Sequence, residues 1–340
     1  MNFSGPKPTA GSTIRVLTDV SAAAAMLNVT GVDATSDGFV TAYPCGTRPP
    51  TSNLNAQTGQ TVANLAVVPV DADNAVCIFV QPSVHIVVDL LGYYRDSSSF
   101  QLGESGQRIL DTRATGPSVG YVGAKPVAGQ VVELSPGNTV ASDAAAVVLN
   151  LTATGASGVS YVTAWPCGSP RPLAPNLDLS LGETRANLVV THAGTGNHIC
   201  LFTQSGTDLV VDLVAWEPAG AALRPLGPAR VVDTRTTSQT GYTGPTPTAG
   251  QVLTLNLSNL AGWPSDAANA VLNMTATESH GPGFVTAYHC SDGRPPTSNL
   301  NLQLGHNVAN LVVVPAGTDQ QLCIYTSAST ELAIDVLAAE

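Results

Sequence analysis

The sequence predicts an all-β protein built from three tandem antiparallel β-sandwich repeats of about 110–120 residues, each with one internal disulfide. Three observations carry this prediction: a stretch that occurs three times, short apolar segments separated by Gly, Pro, Asn and Asp, and one cysteine pair per repeat. No long segment shows the 3.6-residue apolar period of a helix. A single β-trefoil is the competing fold, but these repeats are too long for one trefoil lobe.

The repeated stretch keeps a constant register through the chain. It opens at Phe39, Tyr161 and Phe284, and its landmarks recur at a spacing of 123 residues. Two asparagine positions show this spacing, namely Asn53, Asn176 and Asn299, and Asn64, Asn187 and Asn310. The predicted repeats are residues 1–98, 107–218 and 229–340, joined by short polar or Pro/Gly-rich linkers. A compact pseudo-threefold arrangement and a short rod are both compatible with such joins.

Each repeat contains about eight predicted strands and two cysteines. The expected disulfide pairs are Cys45 with Cys77, Cys167 with Cys200, and Cys290 with Cys323. Paired cysteines in every repeat indicate an oxidising environment. Buried free thiols are the alternative interpretation. A zinc site is disfavoured because no CxxC motif is present and no histidine recurs beside the cysteines.

The second and third repeats have a leading element that the first repeat lacks. It reads RILDTR at residues 108–113 and RVVDTR at residues 230–235. If this element is a strand, the first repeat carries an open sheet edge that a neighbouring chain can complete by strand donation. The alternatives are that the first repeat closes without it, or that a longer native protein was cut here.

Composition and charge exclude several classes of function. The net charge is −11 and only 11% of residues are charged, so phosphate neutralisation is not expected and nucleic-acid binding is excluded. No apolar run approaches the ~18 residues of a membrane helix, and membrane insertion is not predicted. No signal peptide follows Met1, so either a leader was removed or the protein leaves its cell by another route, such as lysis inside a virus particle.

A recurring aspartate lies in the middle of an apolar strand in each repeat. A buried carboxylate needs a cation or hydrogen-bond donors, because its desolvation costs several kcal/mol. The recurring arginines are the predicted partners, and the arginines of the DTR segments are further ones. The predicted structural ion pairs are Asp89 with Arg48, Asp212 with Arg171, and Asp335 with Arg294.

Few residues suggest a ligand site. The aromatic residues before the first cysteine of each repeat, Tyr43, Trp165 and Tyr288, form either a repeated sugar platform or a cover over the disulfide. The sequons at Asn28, Asn150 and Asn273 fall at a strand-like core position and are interpreted as structural. No catalytic motif, nucleotide fingerprint or histidine cluster is found, so no catalytic residue, metal or cofactor is predicted.

The motifs together resemble a known tandem repeat. RILDTR and RVVDTR, followed by AAVVLNLTAT, YVTAWPCG, RPPTSNLN, VANLVVVP and VVDLLGYY, are similar to a repeat of secreted surface proteins of actinobacteria and of virion proteins of their phages. The resemblance covers nearly the whole chain, except that the first RxxDTR is missing. It implies an extracellular structural or glycan-binding module and not an enzyme.

The sequence therefore predicts a non-enzymatic structural or adhesive surface protein. Because the chain starts at Met1 without a leader, a capsid-decoration or tail component of an actinobacterial phage is favoured over a cell-surface glycan-binding module, and an enzyme is the least favoured. The expected partners are other protein subunits of a capsid, tail or cell-surface assembly, reached through the open edge of the first repeat, and glycan in the second case.

Overall fold

The computed structural model describes residues 5–18, 21–95, 99–117, 119–137 and 140–340, with their side chains except those of 104–106 and 227. Its regular structure consists of strands and three 3-10 helices of three residues each.

The first repeat has seven strands: β1 (Thr13–Leu17), β2 (Ala24–Val32), β3 (Gly38–Pro44), β4 (Leu54–Ala56), β5 (Thr61–Pro69), β6 (Ala75–Val80) and β7 (His85–Tyr94). The second has eight: β8 (Gln101–Asp111), β9 (Val131–Leu134), β10 (Ala146–Thr154), β11 (Ser160–Pro166), β12 (Leu177–Leu179), β13 (Arg185–Thr191), β14 (Ile199–Thr203) and β15 (Asp208–Glu217). The third also has eight: β16 (Arg224–Asp233), β17 (Val252–Asn256), β18 (Asn269–Thr277), β19 (Gly283–His289), β20 (Leu300–Leu302), β21 (Val308–Pro315), β22 (Gln321–Thr326) and β23 (Glu331–Ala339). The 3-10 helices are Thr195–Asn197, Leu257–Asn259 and Cys290–Asp292.

Each repeat divides its strands between two antiparallel sheets, and the chain crosses between them several times. One sheet carries the cysteines and is called the outer sheet; its strand orders are β1-β6-β3-β4, β12-β11-β14-β9 and β17-β22-β19-β20. The other is called the inner sheet; its orders are β5-β2-β7, β13-β10-β15-β8 and β16-β23-β18-β21. The inner sheet of the first repeat therefore has three strands where the other two have four.

The strands β2, β10 and β18 of the inner sheets are buried on both faces, which explains their continuous apolar character. On β2, Leu27 packs into the core of its own repeat, whereas its neighbour Met26 packs into a central cluster. That cluster takes side chains from all three repeats, among them Leu65, Leu188 and Leu311. Each repeat therefore has its own core, and the three repeats share the central cluster, whose burial stabilises by about 25 cal/mol per Å².

The all-β prediction is confirmed, but the predicted architecture of three tandem sandwich repeats is wrong. The six small sheets are arranged as a six-bladed β-propeller. Periodicity within a strand reveals whether both faces are buried and not which neighbour covers them. The second face of each inner sheet is covered by other repeats, which a local pattern cannot show.

Residues expected to be linkers are partly strand. β8 begins at Gln101 and β16 at Arg224, both ahead of the RxxDTR motif, and β15 runs to Glu217. The β8–β15 and β16–β23 ladders contain register shifts, and Gly103 and Pro225 lie on these irregular strands. Bulges tolerate Gly and Pro inside a strand, so the linker-like composition reflects bulged strands here. The predicted repeat boundaries themselves stay a prediction.

One disulfide closes each outer sheet. The bonds join Cys45 to Cys77, Cys167 to Cys200 and Cys290 to Cys323, with Cα–Cα distances of 4.9, 5.1 and 4.9 Å. Disulfides persist in oxidising compartments. They fit an extracellular or virion location. Within the described residues, no helix has the length and apolar character needed to cross a bilayer.

Candidate functional site: the seams between repeats and an open sheet edge

Buried asparagines join the three repeats into a closed ring. The Nδ2 atom of Asn150 donates to the Ser52 carbonyl across the seam between the first and second repeats (seam 1–2), at 2.7 Å. Asn273 donates in the same way to Pro175 across seam 2–3, and Asn28 to Ser298 across seam 3–1. These distances are 2.7 and 2.8 Å. The third contact closes the ring, so the arrangement is the compact pseudo-threefold one and not a rod.

A second layer of asparagines reinforces two of the three seams. Across seam 2–3, Asn187 accepts from the Leu311 N–H at 2.9 Å, and across seam 3–1, Asn310 accepts from the Leu65 N–H at 3.0 Å. At seam 1–2, the equivalent oxygen, Oδ1 of Asn64, is buried without a hydrogen-bond partner in the described structure. An unsatisfied buried acceptor costs about 1–3 kcal/mol, so seam 1–2 is the weakest of the three.

The asparagines at 53, 176 and 299 support these contacts from within each repeat. Their Oδ1 atoms accept from the N–H groups of Ala42, Ala164 and Ala287, each at 2.7 Å. Their own carbonyls accept from the second-layer asparagines of the same repeat. The recurrence of these residues is thus explained by the fold.

The RxxDTR strands supply an arginine that links two repeats. Arg108 on β8 binds Asp212 on β15 through Nε at 2.9 Å, and its Nη1 lies 3.3 Å from Asp111. Its Nη2 donates to the Pro50 carbonyl of the first repeat at 3.4 Å. A single guanidinium therefore neutralises a buried acid of its own repeat and contacts the preceding repeat.

The third repeat reproduces this arrangement with shorter contacts. Arg230 on β16 binds Asp335 through Nε at 2.6 Å and Asp233 through Nη1 at 2.8 Å. Its Nη2 donates to the Leu173 carbonyl of the second repeat at 3.1 Å. Burial raises the pKa of Asp335, against the lowering effect of the Arg230 hydrogen bond and charge. The arginine is what makes an ionised carboxylate tolerable at this position.

The predicted pairing of Asp89, Asp212 and Asp335 with Arg48, Arg171 and Arg294 is wrong. Those arginines lie in the loops after β3, β11 and β19 of the outer sheets, and each stacks over an aromatic ring of its own outer sheet. Arg48 lies 4.1 Å from the Phe79 ring centroid, Arg171 lies 3.6 Å from that of Phe202, and Arg294 lies 4.2 Å from that of Tyr325. The aspartates are on the inner sheets, where the adjacent RxxDTR strand offers a closer cation.

The first repeat has the aspartate and lacks the arginine. Asp89 on β7 is half-buried, and burial raises its pKa; only a hydrogen bond from Asn28 acts in the opposite direction. β7 pairs with β2 on one side, and in the described part of the chain no strand pairs with its other side. Val87 is consequently 49% exposed, whereas Val210 at the equivalent position of β15 is 4% exposed.

The aromatic residues that precede the first cysteines do not form an exposed platform. Tyr43, Trp165 and Tyr288 stand opposite Cys77, Cys200 and Cys323 in the outer sheets. Tyr43 and Trp165 are buried, and the Trp165 Nε1–H donates to the Ser169 carbonyl at 3.0 Å. Buried rings have no free face for sugar stacking, so the platform hypothesis is wrong for these two residues; Tyr288 is half-buried.

Seam 1–2 contains a cleft that sequence reasoning missed. Its volume is about 160 Å³, and its lining combines an aromatic ring, two guanidinium groups and hydroxyls from Phe39, Arg108, Arg113, Thr152, Thr154 and Thr184. Asn55 also lines it, with a buried Oδ1 that lacks a partner in the described structure. The signal in the sequence is the aligned set Asn55, Asp178 and Asn301, where a polar side chain recurs at a strand position.

At seam 2–3 the position equivalent to Asn55 is occupied by an acid, Asp178. Burial raises the pKa of Asp178 to about 6, although the charges of Arg185, Arg235 and Arg230 oppose the shift. Elsewhere, the His289 ring nitrogen Nε2 lies 2.7 Å from Asp319 on the surface of the third repeat. No group of three His, Cys, Asp or Glu side chains within the described ranges is placed to hold a metal ion.

Comparisons with known proteins leave the function open. No protein-family model matches the chain, and no curated protein matches its sequence. A structure showing the triple jelly roll fold and turret assembly of an archaeal virus is 10% identical, with a TM-score of 0.26, over 98% of this chain and 83% of that one. A structure of the Sulfolobus turreted icosahedral virus is 8% identical, with a TM-score of 0.26 over the same shares.

The tandem CBM22 domain of Paenibacillus barcinonensis Xyn10C is 9% identical, with a TM-score of 0.21, over 70% of this chain and 99% of that one. Similarity at these TM-scores carries no argument about fold or function. The function is therefore argued from the site alone.

Proposed function

We propose that this protein is a non-enzymatic structural subunit of an extracellular or virion surface assembly, such as a phage capsid decoration or tail. The observation that carries the proposal is the open edge of β7 in the first repeat. In the second and third repeats the same edge is covered by β8 and β16. The edge is the place where another protein subunit docks.

The composition of β7 supports docking. Soluble proteins protect exposed sheet edges with lysine, proline or bulges that prevent pairing. β7 reads HIVVDLLGYY, with no lysine and no proline, and Val87 and Tyr93 are exposed along it. Its bulge at Leu91 recurs in β15 and β23, where it does not prevent pairing with β8 and β16. An edge of this length and apolar character is a template for strand addition.

The use of the recurring polar residues supports a structural role. The seam asparagines hold the ring together, and the aspartate–arginine pairs and arginine–aromatic stacks stabilise the individual repeats. A polar group that is needed for packing in each of three repeats is unsuited to a reaction that requires one site.

Incorporation into particles tests the proposal. A tagged protein is produced in its source organism, and particles and cell envelope are purified and probed for it. We expect the wild type to co-sediment with one of these fractions and a Val87→Lys variant to be lost from it, because an edge lysine opposes strand addition. Val159→Lys, at a 78% exposed site of the second repeat, is the matched control and should be retained. Absence of the wild type from both fractions overturns the proposal.

The cleft at seam 1–2 supports a second candidate function, glycan binding. Its volume is below the ~300–1,000 Å³ of typical small-molecule sites, which suits a single sugar ring on Phe39 with Arg113 and the threonines as hydrogen-bonding groups. Titration with cell-wall glycan fragments, followed by NMR, tests this. Asn55→Ala should weaken binding and Asn301→Ala, its equivalent in the third repeat, should not. Equal effects of both variants contradict it.

A further inference from the structure

The open edge of the first repeat presents the carboxylate of Asp89 as well as the unpaired backbone groups of β7. We propose that its occupant is an extended segment of a separate protein chain, antiparallel to β7, that places an arginine on Asp89. This inference rests on the proposed assembly role and specifies the partner. The occupant repeats what β8 does for β15 and β16 does for β23.

The register of the occupant follows from the two complete inner sheets. On β15, Asp212 stands opposite Arg108 and Val210 stands opposite Asp111. The equivalent residues of β7 are Asp89 and Val87. An R-x-x-D segment in the same register therefore sets its arginine opposite Asp89 and covers Val87 with its aspartate position.

Charge complementarity selects a basic residue at that point. Asp89 is half-buried, and within the described residues it is hydrogen-bonded by the neutral amide of Asn28. Its counterparts Asp212 and Asp335 are fully buried and each is paired with a guanidinium. Covering β7 removes Asp89 from water, so the covering strand must supply a cation or leave an unpaired buried charge.

The geometry favours arginine over lysine. In both complete repeats the guanidinium serves three acceptors in different directions: the strand aspartate, the aspartate of its own motif and a carbonyl of the preceding repeat. A planar guanidinium has five N–H donors for such a set, whereas an ammonium acts as a point charge. A lysine at the arginine position of the occupant could not hold these three acceptors in fixed directions.

The occupant also bridges two repeats. The carbonyls contacted by Arg108 and Arg230 belong to Pro50 and Leu173, and the third member of this set is Pro296. Pro296 is exposed and lies beside seam 3–1 on the chain segment that also carries Ser298. An arginine on Asp89 therefore reaches from the first repeat to the third and completes the threefold pattern.

A second copy of this chain does not fit the role. It has two R-x-x-D-T-R strands, and both are already paired with β15 and β23 in their own sheets. A donor strand from a second copy would leave one of those sheets with an open edge in exchange. Both RxxDTR strands of the described residues are therefore in use, and the donor we propose is a different polypeptide.

A synthetic peptide with the sequence of residues 101–113 tests the inference. It is labelled and titrated with the intact protein, and binding is followed by fluorescence anisotropy and by amide hydrogen exchange along β7. We expect saturable binding with protection of the β7 amides and no change on β15. The peptide with Arg108→Gln should bind about tenfold or more weakly, as expected for loss of a charge-assisted hydrogen bond.

Charge exchange separates arginine recognition from general edge pairing. The Asp89→Arg protein should lose the wild-type peptide and recover binding to an Arg108→Glu peptide. If the Arg108→Gln peptide binds as well as the original, or if protection appears only on β15, the inference is wrong. Concentration-dependent dimerisation that protects β7 without peptide also overturns it, in favour of a second copy.

These results are distinguishable from failure of the proposed function. Particle association that depends on Val87, with no peptide binding, contradicts the arginine-strand inference and leaves the assembly role intact. Peptide binding through Asp89, with no protein in particles or envelope, supports the inference and contradicts the assembly role.

Discussion

The inner sheets of the first and third repeats differ by one strand. The third has the edge strand β16, and the first has no counterpart of it in the described structure. β23 is buried at every position, whereas β7 has three exposed positions and only partly buried ones otherwise. Asp335 has Arg230, and Asp89 has no cation in the described structure. The difference shows that the aspartate serves the ion pair between two neighbouring strands and not its own strand alone. The first repeat has the aspartate of this ion pair without the arginine.

The largest expected loss of stability follows removal of the arginine from the Arg230–Asp335 ion pair of the third repeat. Arg230→Ala leaves the buried Asp335 without its hydrogen-bonded cation, whereas Asp233 keeps Arg235, so we expect the free energy of unfolding to fall by about 3–5 kcal/mol. Arg294 is itself exposed, and Arg294→Ala removes only its stack over the half-buried Tyr325 ring, which should cost about 0.5–1 kcal/mol. Chemical denaturation of both variants measures the contrast. Equal losses would mean that the buried pair contributes no more than the surface stack.

A smaller effect separates the seams. Asn187→Ala leaves the buried Leu311 N–H across seam 2–3 without its acceptor, and we expect a loss of about 1–3 kcal/mol. The Asn64 Oδ1 has no partner to lose, although its Nδ2 donates to the Asn53 carbonyl as the Asn187 Nδ2 does to Asn176. Asn64→Ala should therefore be the milder substitution in thermal unfolding. A larger loss for Asn64→Ala would contradict the weaker seam 1–2.

The smallest expected effect is the pH dependence of Asp89. Its pKa in the folded protein is raised by burial, so its favourable contribution is complete below the unfolded pKa near 4. That contribution is lost as the pH rises through the raised folded pKa. Asp89→Asn should remove this decline in stability between acid and neutral pH. Unfolding curves measured across that range test it, and an unchanged slope would show that Asp89 is not the group responsible.

Acidification should act in the opposite direction on the RxxDTR strands. Burial favours the neutral form of Asp111, but the hydrogen bonds and charges of Arg113 and Arg108 leave its pKa lowered overall. The stabilisation from Asp111 is therefore present above the unfolded pKa and is lost as the pH falls through the lowered value. Below about pH 4 the second repeat should weaken, and Asp111→Asn should flatten that limb of the stability profile.

Much of the local structure was predictable from the sequence. The strand-like segments are strands, each cysteine pair is bonded within its repeat, and the missing RxxDTR element corresponds to a missing strand. These features are local or recur in register, so one sequence is enough to reveal them.

The arrangement of the sheets and the partners of the aspartates were not predictable in the same way. Arg48 and Arg108 are both plausible cations for a buried acid, and only the sheet to which each belongs decides between them. The same holds for Met26, whose apolar character does not say that it packs against two other repeats. Such facts depend on which faces meet, and a linear pattern contains no information about that.

The buried asparagines at 28, 150 and 273 have a practical consequence for producing the protein. Each is followed by the Thr of an acceptor triplet, and its Nδ2 is the atom to which an oligosaccharide is attached. That same atom donates to the next repeat's carbonyl in the closed ring. Secretion from a eukaryotic host would modify the chain before it folds and prevent closure, so a bacterial periplasm is the suitable place to make it.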